Sequence, residues 1–402
     1  MAKRVLFAGA YGIRSQGDDA ALLVLYRELQ RRHQHLEGVV LCRHASEKLY
    51  APYGLEVLPN FEYESRAAGL GKWFQGFNHD DDRRHLHSLL RQIERADLLI
   101  LGAGNAFVDY TIDLLKGPIP YFVILTLMAQ MTDTPVLWFG ISIGPLTTDL
   151  GCRMTRLAAK LADIITVRDQ GSLQYLRSLD HKGEIHLLPD PVLGLDPGSR
   201  PRHPFPTGCS GGERQVFAVS VRAVTRQMGM DYQRYIDTMA SSLDQLIEHF
   251  NVNMLFIPHC TYEHGAPEQD DRTVARAISG RMQHHDSVLR VDDHLSVDES
   301  LALYRNCNLA ICTRLHANVY AAIQGVPSVA ISYHPKVTSF MDFIGCDNYC
   351  ISLDHLLPET IIHKTEDLMR NKISVSAAVR NKIDRARTEI NRYADLACDL
   401  MR

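Results

Sequence analysis

Residues Cys307 to Gly345 read CNLAICTRLHANVYAAIQGVPSVAISYHPKVTSFMDFIG, and this stretch carries the clearest fold signal in the chain. Its first apolar run, Leu309 to Cys312, predicts a strand buried on both faces, and a second run covers Pro327 to Ser332. The residues between the two runs are compatible with a helix that ends at Gly325. The order strand, helix, strand predicts neighbouring parallel strands of an α/β sheet.

Charged side chains follow both predicted strands: Arg314 and His316 come after the first, and His334 and Lys336 after the second. Open α/β sheets bind ligands at the carboxyl ends of their strands. Arginine offers a planar fork to phosphate or carboxylate, lysine a compact charge, and histidine a proton near neutral pH. The pattern favours a small doubly anionic substrate and a proton transfer. From spacing alone, salt bridges of Arg314 and Lys336 and a helix-start role for His316 are an equally good interpretation.

The composition describes a globular chain of 402 residues, with 46% hydrophobic and 22% charged residues, and its length predicts two or three domains. A net charge of -4 provides no general basic field for nucleic acid. Nine cysteines occur without a CxxC pair, so neither a zinc site nor a thioredoxin-like motif is indicated. The first residues show no cleavage site, and the longest apolar block, Ile119 to Met131, is too short to span a bilayer. We therefore expect a cytoplasmic protein.

Strand and helix patterns alternate along both halves of the chain. In the first half, a strand at Arg4 to Ala8 precedes a glycine-rich loop, and another at Ala96 to Leu101 ends at Gly102. A segment rich in Pro, Gly and Ser separates the halves. The predicted organisation is a first Rossmann-like domain (residues 1–195), a linker (196–214), a second Rossmann-like domain (215–375) and C-terminal helices that cross back to the first domain (376–402). The predicted fold class is α/β, with two Rossmann-like domains facing across a cleft, the GT-B-like glycosyltransferase architecture.

Several short motifs occur in an order that spans most of the chain. They are Gly9-Ala10-Tyr11-Gly12 with Gly17-Asp18, Gly102-Ala103-Gly104, Gly140-Ile141-Ser142-Ile143-Gly144-Pro145, Val167-Arg168-Asp169, Asp190-Pro191, Arg314-Leu315-His316-Ala317 and Ser332-Tyr333-His334-Pro335-Lys336-Val337. Taken together they resemble the polysaccharide pyruvyltransferase family. The last two motifs are the most specific, whereas the glycine motifs alone would be weak.

The resemblance implies an enzyme that transfers a pyruvyl group from phosphoenolpyruvate to two hydroxyls of one sugar, forming a cyclic ketal and releasing phosphate. It implies no cofactor, because phosphoenolpyruvate is a substrate. It assigns donor binding and catalysis to Arg314, His316, Lys336 and Arg168. From the chemistry of these side chains we expect Arg314 and Lys336 to bind the phosphate and carboxylate, with Arg168 completing this anion clamp across the cleft. Two histidines are added as donor-binding candidates. They are His334, beside Lys336, and His259, after a predicted strand.

The first half is expected to bind the acceptor saccharide, which the sequence leaves open as lipid-linked, nucleotide-linked or polymeric. The acceptor-binding candidates are Gly12, Asp18, Gly104, Asn105 and Asp109. For Asp18 and Asp109, stabilisation of helix starts or turns is the competing interpretation. A lipid-linked acceptor would bring the enzyme into peripheral contact with the inner face of the membrane. The sequence does not indicate the oligomeric state.

Carboxylates and a histidine cluster in one further segment, but their loop setting favours a solvated polar stretch, and we expect no metal site. These residues are Glu263, His264, Glu268, Asp270 and Asp271. Two other functions remain open at this point. One is a GT-B-type glycosyltransferase that uses a nucleotide sugar, since the fold alone does not determine the function. The other is a catalytically degenerate member that binds a sugar or phospho-ligand without converting it.

Overall fold

The chain forms two units, each built around its own parallel sheet. The computed structural model describes residues 2–42, 47–60, 80–109, 118–144, 146–198, 214–262 and 266–402. The first unit comprises Met1–Gly194 together with Thr388–Arg402, and the second comprises Leu195–Arg387. Most of the predicted linker, residues 199–213, lies outside the described residues.

In the described part of the first unit, seven parallel strands form one sheet in the spatial order β3-β2-β1-β4-β5-β6-β7. The strands are β1 (Lys3–Ala8), β2 (Leu36–Cys42), β3 (Leu55–Pro59), β4 (Leu98–Phe107), β5 (Val136–Ile143), β6 (Ile164–Val167) and β7 (Ile185–Leu187). The helices are α1 (Gln16–Arg32), α2 (Glu47–Tyr50), α3 (Asp80–Glu94), α4 (Pro118–Met131), α5 (Asp149–Leu161) and α6 (Gln170–Ser178).

The core of the first unit lies on both faces of its central strands. Every residue of β5 is buried, as expected for a parallel strand covered on both sides. The ring of Trp138 in β5 stacks on Phe107 of β4 with 4.2 Å between centroids, and Phe107 stacks in turn on Phe122 of α4 at 5.5 Å. These aromatic contacts hold α4 against the sheet.

Strand β4 is longer than the sequence predicts. The predicted strand ends at Leu101, but pairing with β5 continues through Gly102 opposite Phe139 and Gly104 opposite Ile141. The glycines permit this close pairing, because a Cβ atom on Gly102 would collide with the carbonyl oxygen of Phe139. The glycine motif therefore lies within the strand and lines its carboxyl half.

In the described part of the second unit, six parallel strands form a sheet in the order β10-β9-β8-β11-β12-β13. The strands are β8 (Val216–Ser220), β9 (Asn253–Phe256), β10 (Val288–Arg290), β11 (Leu309–Cys312), β12 (Ser328–Ser332) and β13 (Cys350–Ser352). The helices are α7 (Tyr232–Phe250), α8 (Asp271–Ser279), α9 (Val297–Tyr304), α10 (Leu315–Ile323), α11 (Pro335–Ile344), α12 (Pro358–Arg370) and α13 (Lys372–Leu400). The residues of α13 from Thr388 onward belong to the first unit.

Local sequence signals account for several of these boundaries. All residues of β11 are buried, as its apolar run predicts. Helix α9 begins with a capping box, in which the Glu299 backbone N–H donates to Ser296 and the Ser296 backbone N–H donates to the Glu299 carboxylate. Helix α11 ends at Gly345, whose φ of 73° lies in the left-handed region that favours glycine.

Both sheets have a topological switch point, where the order of the strands reverses. In the first unit it lies between β1 and β4, and in the second between β8 and β11. Connections leave such a pair of strands toward opposite sides, which opens a crevice at their carboxyl ends. The loops after β1, β4, β8 and β11 are therefore the places where each sheet is expected to bind a ligand.

Candidate active site

Three cationic side chains meet at the carboxyl edge of the second sheet. Arg222 follows β8, Arg314 precedes α10 after β11, and Lys336 lies in the first turn of α11 after β12. Their common neighbour is Tyr333. The guanidinium carbon of Arg222 lies 4.0 Å from the centroid of this ring, and the Lys336 ammonium lies 5.5 Å from it. Arg222, Arg314 and Lys336, with Tyr333 among them, are called the cation cluster below.

The pKa of Tyr333 reflects the positive charge of the cation cluster. Burial by itself raises the pKa of this phenol, but the charges of Lys336, Arg222 and Arg314 lower it to about 7. Tyr333 and Arg222 are not among the site residues predicted from the sequence. The available signal was their position, because each lies directly beyond the carboxyl end of a strand next to the switch point.

Arg314 is held in place by a buried carboxylate. Its Nε lies 3.1 Å from both carboxylate oxygens of Asp271, and its Nη2 lies 2.5 Å from Oδ1. Asp271 is 1% exposed and also accepts hydrogen bonds from the backbone N–H groups of His259 and Cys260. Arg314 binds Asp271 through Nε and Nη2, so its Nη1 takes no part in this ion pair.

The pKa directions of this pair agree with its geometry. Burial lowers the pKa of Arg314, but the Asp271 carboxylate outweighs burial and raises it. Burial raises the pKa of Asp271, and Arg314 acts in the opposite direction. The prediction that Asp271 lies in a solvated segment is wrong. The helix start that carries Asp271 packs against the strand ends, and a buried carboxylate requires a partner such as Arg314.

His259 lies behind Arg314, buried with 3% exposure. Its Nε2 is 2.8 Å from the hydroxyl of Tyr304, and its ring packs against Tyr320 with 5.0 Å between centroids. Burial, and then the charges of His316 and Arg314, lower its pKa well below the usual value, so this imidazole is neutral near pH 7. Among the described residues, no hydrogen-bond partner reaches its buried Nδ1.

His316 and His334 lie at the starts of two helices. His316 is the second residue of α10 and is partly buried. His334 is the N-cap of α11, and its Nδ1 accepts a hydrogen bond of 3.3 Å from the backbone N–H of Lys336. This bond orients the first turn that presents the Lys336 ammonium to Tyr333. A donor contact of His334 stays a prediction.

Arg168 lies in the first unit, after β6. Its Nε donates to the hydroxyl of Ser142 at 2.8 Å, and its Nη1 pairs with Asp190 at 2.9 Å. The Arg168 side chain is only 5% exposed, and Asp190 also accepts a hydrogen bond from the Val192 backbone N–H. Arg168 is thus oriented by neighbours in its own unit, and its predicted part in the anion clamp stays a prediction.

Four of the five acceptor candidates lie at the first switch point. Gly12 follows β1, and Gly104 and Asn105 lie in the carboxyl half of β4. Asp18 lies in the first turn of α1, and a Cβ atom on Gly104 would lie 2.7 Å from Oδ1 of Asp18. The carboxylate of Asp18 therefore packs directly on the glycine backbone of β4.

Asp19 and Tyr50 are hydrogen-bonded to each other next to this crevice. The hydroxyl of Tyr50 accepts from the Gly12 backbone N–H at 3.1 Å and donates to Asp19 at 2.5 Å. Burial raises the pKa of Asp19 to about 7, although the Tyr50 hydrogen bond acts in the opposite direction. A carboxyl group that is readily protonated at neutral pH therefore lies beside Asp18.

The hydrogen bonds of the Asp109 carboxylate indicate a structural role. It accepts hydrogen bonds from the backbone N–H groups of Thr147 at 2.7 Å and Thr148 at 2.6 Å, and from both hydroxyls. Burial raises its pKa, but these bonds outweigh burial and lower it. This arrangement matches the alternative that Asp109 stabilises a turn before α5. An acceptor contact of Asp109 stays a prediction.

The described residues contain no group of three or more His, Cys, Asp and Glu side chains arranged to hold a metal ion. Asp270 pairs with Arg272 at 2.6 Å, while Glu263 and His264 lie outside the described residues. Within the described parts of the chain, the helices are too short or too polar to cross a lipid bilayer.

Solved structures of other proteins share this architecture. HepE from Anabaena, solved with UDP, has a TM-score of 0.60 at 12% identity, and the match covers 98% of each chain. UDP-GlcNAc 2-epimerase from Neisseria meningitidis, bound to UDP-GlcNAc, has a TM-score of 0.59 at 11% identity over 98% of each chain. MurG from Acinetobacter baumannii has a TM-score of 0.53 at 12% identity over 99% of each chain. At such identities the likeness concerns the fold alone, and it confirms the predicted GT-B-like α/β class.

The fold and its charged strand ends thus define a GT-B-like protein with a candidate anion site in its second unit. The family model described as polysaccharide pyruvyl transferase matches residues 17–335. The chain belongs to the polysaccharide pyruvyl transferase family, as its motifs predict. The match contains Arg168, Arg314 and His316 and ends one residue before Lys336.

Proposed function

We propose that this protein transfers a pyruvyl group from phosphoenolpyruvate to two hydroxyls of one sugar in a glycan precursor. The products would be a cyclic ketal and inorganic phosphate. The observation that carries the proposal is the cation cluster, in which Arg222, Arg314 and Lys336 surround Tyr333 at the carboxyl edge of the second sheet. Membership of the family supports the same reaction class.

The donor matches the cluster in charge and shape. Phosphoenolpyruvate carries a carboxylate and a phosphate on the same carbon atom, so it needs several cations held at fixed distances. Arg314 is fixed by Asp271, and Lys336 by the helix that His334 caps. Such preorganised charges orient the donor and stabilise negative charge as it develops on the departing phosphate. In this proposal Arg168 completes the clamp, and no cofactor takes part.

The reaction balances without an oxidant or reductant. The double bond of the enol takes up a proton at the methylene carbon, which becomes a methyl group and leaves the neighbouring carbon electrophilic. One sugar hydroxyl attacks that carbon and loses its proton. The second hydroxyl then replaces the phosphate, whose carbon–oxygen bond breaks with both electrons going to the phosphate. Of the two hydroxyl protons, one balances the new methyl C–H bond and the other the released phosphate.

His316 is the residue we assign to proton transfer with the acceptor hydroxyls. It follows Arg314 by two positions at the start of α10, and it lies near the buried His259. Neutral His259 braces this region through Tyr304 and presents a buried Nδ1 as a further polar contact. A positioned histidine of this kind typically contributes about 10²- to 10⁴-fold to the rate.

The first unit is proposed to bind the acceptor saccharide. Its switch point combines glycine backbone with the acid Asp18, and Asn105 has a buried carbonyl oxygen without a hydrogen-bond partner among the described residues. Acids and amides at this place suit sugar hydroxyls, whereas a phosphate would be repelled by Asp18. The proposed setting is the cytoplasmic face of the membrane, where a lipid-linked precursor would be available.

A second candidate function is transfer of a sugar from a nucleotide sugar. It is favoured by one observation, namely that structures of the same architecture contain UDP or UDP-GlcNAc. The cation cluster could also receive a diphosphate. The two functions differ in the donor and in the group released, so binding and product measurements separate them.

The deciding experiment is a thermal-shift titration of the full chain with phosphoenolpyruvate and, in parallel, UDP-GlcNAc. A ligand of the native state at 100 times its Kd adds about 2.7 kcal/mol to the free energy of unfolding. We expect this stabilisation with phosphoenolpyruvate and its loss in Lys336→Met, which removes a charge without leaving Asp271 unpaired. Lys182→Met, at an exposed lysine of the first unit, is the matched control. Stabilisation by UDP-GlcNAc alone would replace the proposal with the glycosyltransferase.

A product measurement completes the test. With a saccharide acceptor in D₂O, the proposed reaction releases one phosphate per ketal and places one deuterium in the new methyl group. Release of UDP from a nucleotide sugar, with no phosphate from phosphoenolpyruvate, would contradict it.

A further inference from the structure

The proposed reaction needs two kinds of proton transfer that one histidine does not combine easily. A carbon atom of the donor must receive a proton, and hydroxyl groups of the acceptor must lose protons. A residue that starts as an acid cannot at the same moment act as the base. His316 covers one of these roles, so the second unit should contain another titratable group next to the donor.

We propose that Tyr333 is the general acid that protonates the methylene carbon of the donor, leaving His316 to act as the base toward the acceptor. This inference rests on the proposed function and deepens it. Tyr333 lies between the end of β12 and the start of α11, within the cation cluster itself. Its hydroxyl is therefore part of the place where the donor anions are expected to bind.

The ring of Tyr333 is held by its neighbours independently of the hydroxyl. Arg222 lies over the ring face at 4.0 Å, a cation–π contact that fixes the ring plane, and Lys336 lies 5.5 Å from the centroid. A fixed ring gives a fixed position for the phenolic oxygen. Proton transfer to carbon requires such positioning, because the acid must meet the face of the double bond.

The charges around Tyr333 stabilise the product of proton transfer. When the phenol O–H bond breaks, its electron pair stays on oxygen, and the π electrons of the enol form the new C–H bond. The resulting phenolate lies beside Lys336, Arg222 and Arg314, which come from three different elements of the unit. The phenol then regains a proton from solvent, while the proton of the attacking hydroxyl passes to His316.

The direction of the phenol pKa supports this role. The three cations lower it to about 7, far enough for proton transfer near neutral pH. His334 is a further titratable neighbour, with 6.2 Å between ring centroids. A bound donor would bring negative charge into the cluster and raise the phenol pKa again, so the donor complex would contain the protonated acid that the first step requires.

Tyr333→Phe isolates the hydroxyl, because phenylalanine retains the ring under Arg222 and all three cations. We expect kcat to fall about 10²- to 10⁴-fold. The Kd for phosphoenolpyruvate should stay within about threefold, since the variant keeps the charges that bind the donor. Tyr349→Phe is the matched control, because it removes a partly buried hydroxyl that donates to Asp367 at 3.0 Å. Its kcat should match that of the unaltered protein.

Two pH measurements distinguish an acid from a structural residue. In the unaltered protein, kcat should fall as pH rises past the phenol pKa of the donor complex, and the residual rate of Tyr333→Phe should lack this decline. The ultraviolet band of phenolate, measured as the difference between the two proteins without substrate, should show one phenol that ionises near neutral pH. Phosphoenolpyruvate should move this ionisation to higher pH.

Three outcomes would overturn the role of Tyr333. They are an unchanged kcat in Tyr333→Phe, a kcat decline at high pH that survives the substitution, and a difference titration without a phenol that ionises near neutral pH. These are distinct from failure of the proposed function, which would show as absent phosphate release by the unaltered protein. That result would remove the proposed substrate, and the acid role with it, even if the difference titration found the acidic phenol.

Discussion

The two switch points of this protein share a backbone plan and differ in charge. In the second unit, β8 and β11 lead to Arg222 and Arg314, and the neighbouring β12 leads to Tyr333 and the helix that contains Lys336. In the first unit, β1 and β4 lead to glycine backbone packed against Asp18. Topology therefore determines where each sheet opens, and the side chains at the strand ends determine which ligand suits the opening.

The helix that follows each switch point shows the same contrast. Helix α1 has two acids, Asp18 and Asp19, in its first turn, which already satisfy the positive end of the helix dipole. Helix α10 instead begins after Arg314, so a positive side chain adds to the dipole. We therefore expect a doubly anionic donor in the second unit and a neutral, hydroxyl-rich acceptor in the first.

The largest expected effect comes from the buried ion pair of the second unit. Arg314→Met should lower the free energy of unfolding by about 3–5 kcal/mol, because it leaves Asp271 buried without its counter-charge. Donor binding should be lost as well. Urea denaturation of the single variant and of Arg314→Met/Asp271→Asn tests this. The double variant should recover most of the stability but not the donor binding, and equal instability of both variants would show that the unpaired carboxylate is not the cause.

Removal of the proposed base should affect turnover and not folding. His316→Ala is expected to lower kcat about 10²- to 10⁴-fold with little change in melting temperature, since the side chain is partly exposed at a helix start. Phosphate release measures turnover. His355→Ala, at a histidine 79% exposed in the same unit, is the control. Near-normal phosphate release by purified His316→Ala would exclude His316 from the mechanism.

The buried carboxyl group of Asp19 in the first unit predicts that the stability depends on pH. The pKa of Asp19 is raised to about 7 in the folded protein, so between pH 4 and 7 the folded state binds this proton more tightly than the unfolded state. The free energy of unfolding should therefore fall as pH rises, with a contribution of at most about 1.4 kcal/mol per pH unit. Urea denaturation at several pH values should show this decrease, and Asp19→Asn should weaken it. Asp286→Asn, at an exposed carboxylate, should retain the full slope.

A methyl group at the first switch point should affect the acceptor and spare the donor. Gly104→Ala combines a φ of 112° with a Cβ position 2.7 Å from Asp18, and should cost about 1–3 kcal/mol of stability and weaken acceptor binding. Stabilisation by phosphoenolpyruvate should be unchanged. Gly229→Ala is a close control, with a φ of 107° and no atom nearer than 3.8 Å. Equal acceptor binding in both variants would remove Gly104 from the acceptor site.

The smallest expected effect concerns the cap of α11. His334→Ala should cost about 0.5–1 kcal/mol, because it removes the acceptor of the Lys336 backbone N–H. His334→Asn supplies another capping side chain and should recover most of this loss. Thermal denaturation measures both. If Asn restored stability while donor affinity stayed low, the imidazole would have a role in donor binding beyond the cap.

Much of the fold was predictable because its signals are local. Apolar runs such as Leu309–Cys312 form strands buried on both faces, and residues such as Gly345 end helices where a left-handed conformation is needed. The end of β4 was not predictable in this way. Its glycines suggest a loop by propensity, but pairing with β5 keeps them in the sheet.

The same distinction between local signals and long-range packing applies to the candidate site. Arg314, His316 and Lys336 could be selected from the sequence because each lies just beyond a predicted strand. The role of Asp271 could not, because its partner Arg314 is 43 residues away and only packing brings the two together. Tyr333 was missed for a similar reason, since its unusual acidity comes from Arg222, Arg314 and Lys336, on three separate elements.

By itself, then, the sequence determined the α/β class, the family and the strand ends that carry charged residues, because periodicity and short motifs are properties of neighbouring residues. Only the tertiary structure decided which charges meet, which carboxylates are buried and which protons are easily lost. Those properties depend on distance and on exclusion of water, and both arise when segments far apart in the chain pack together.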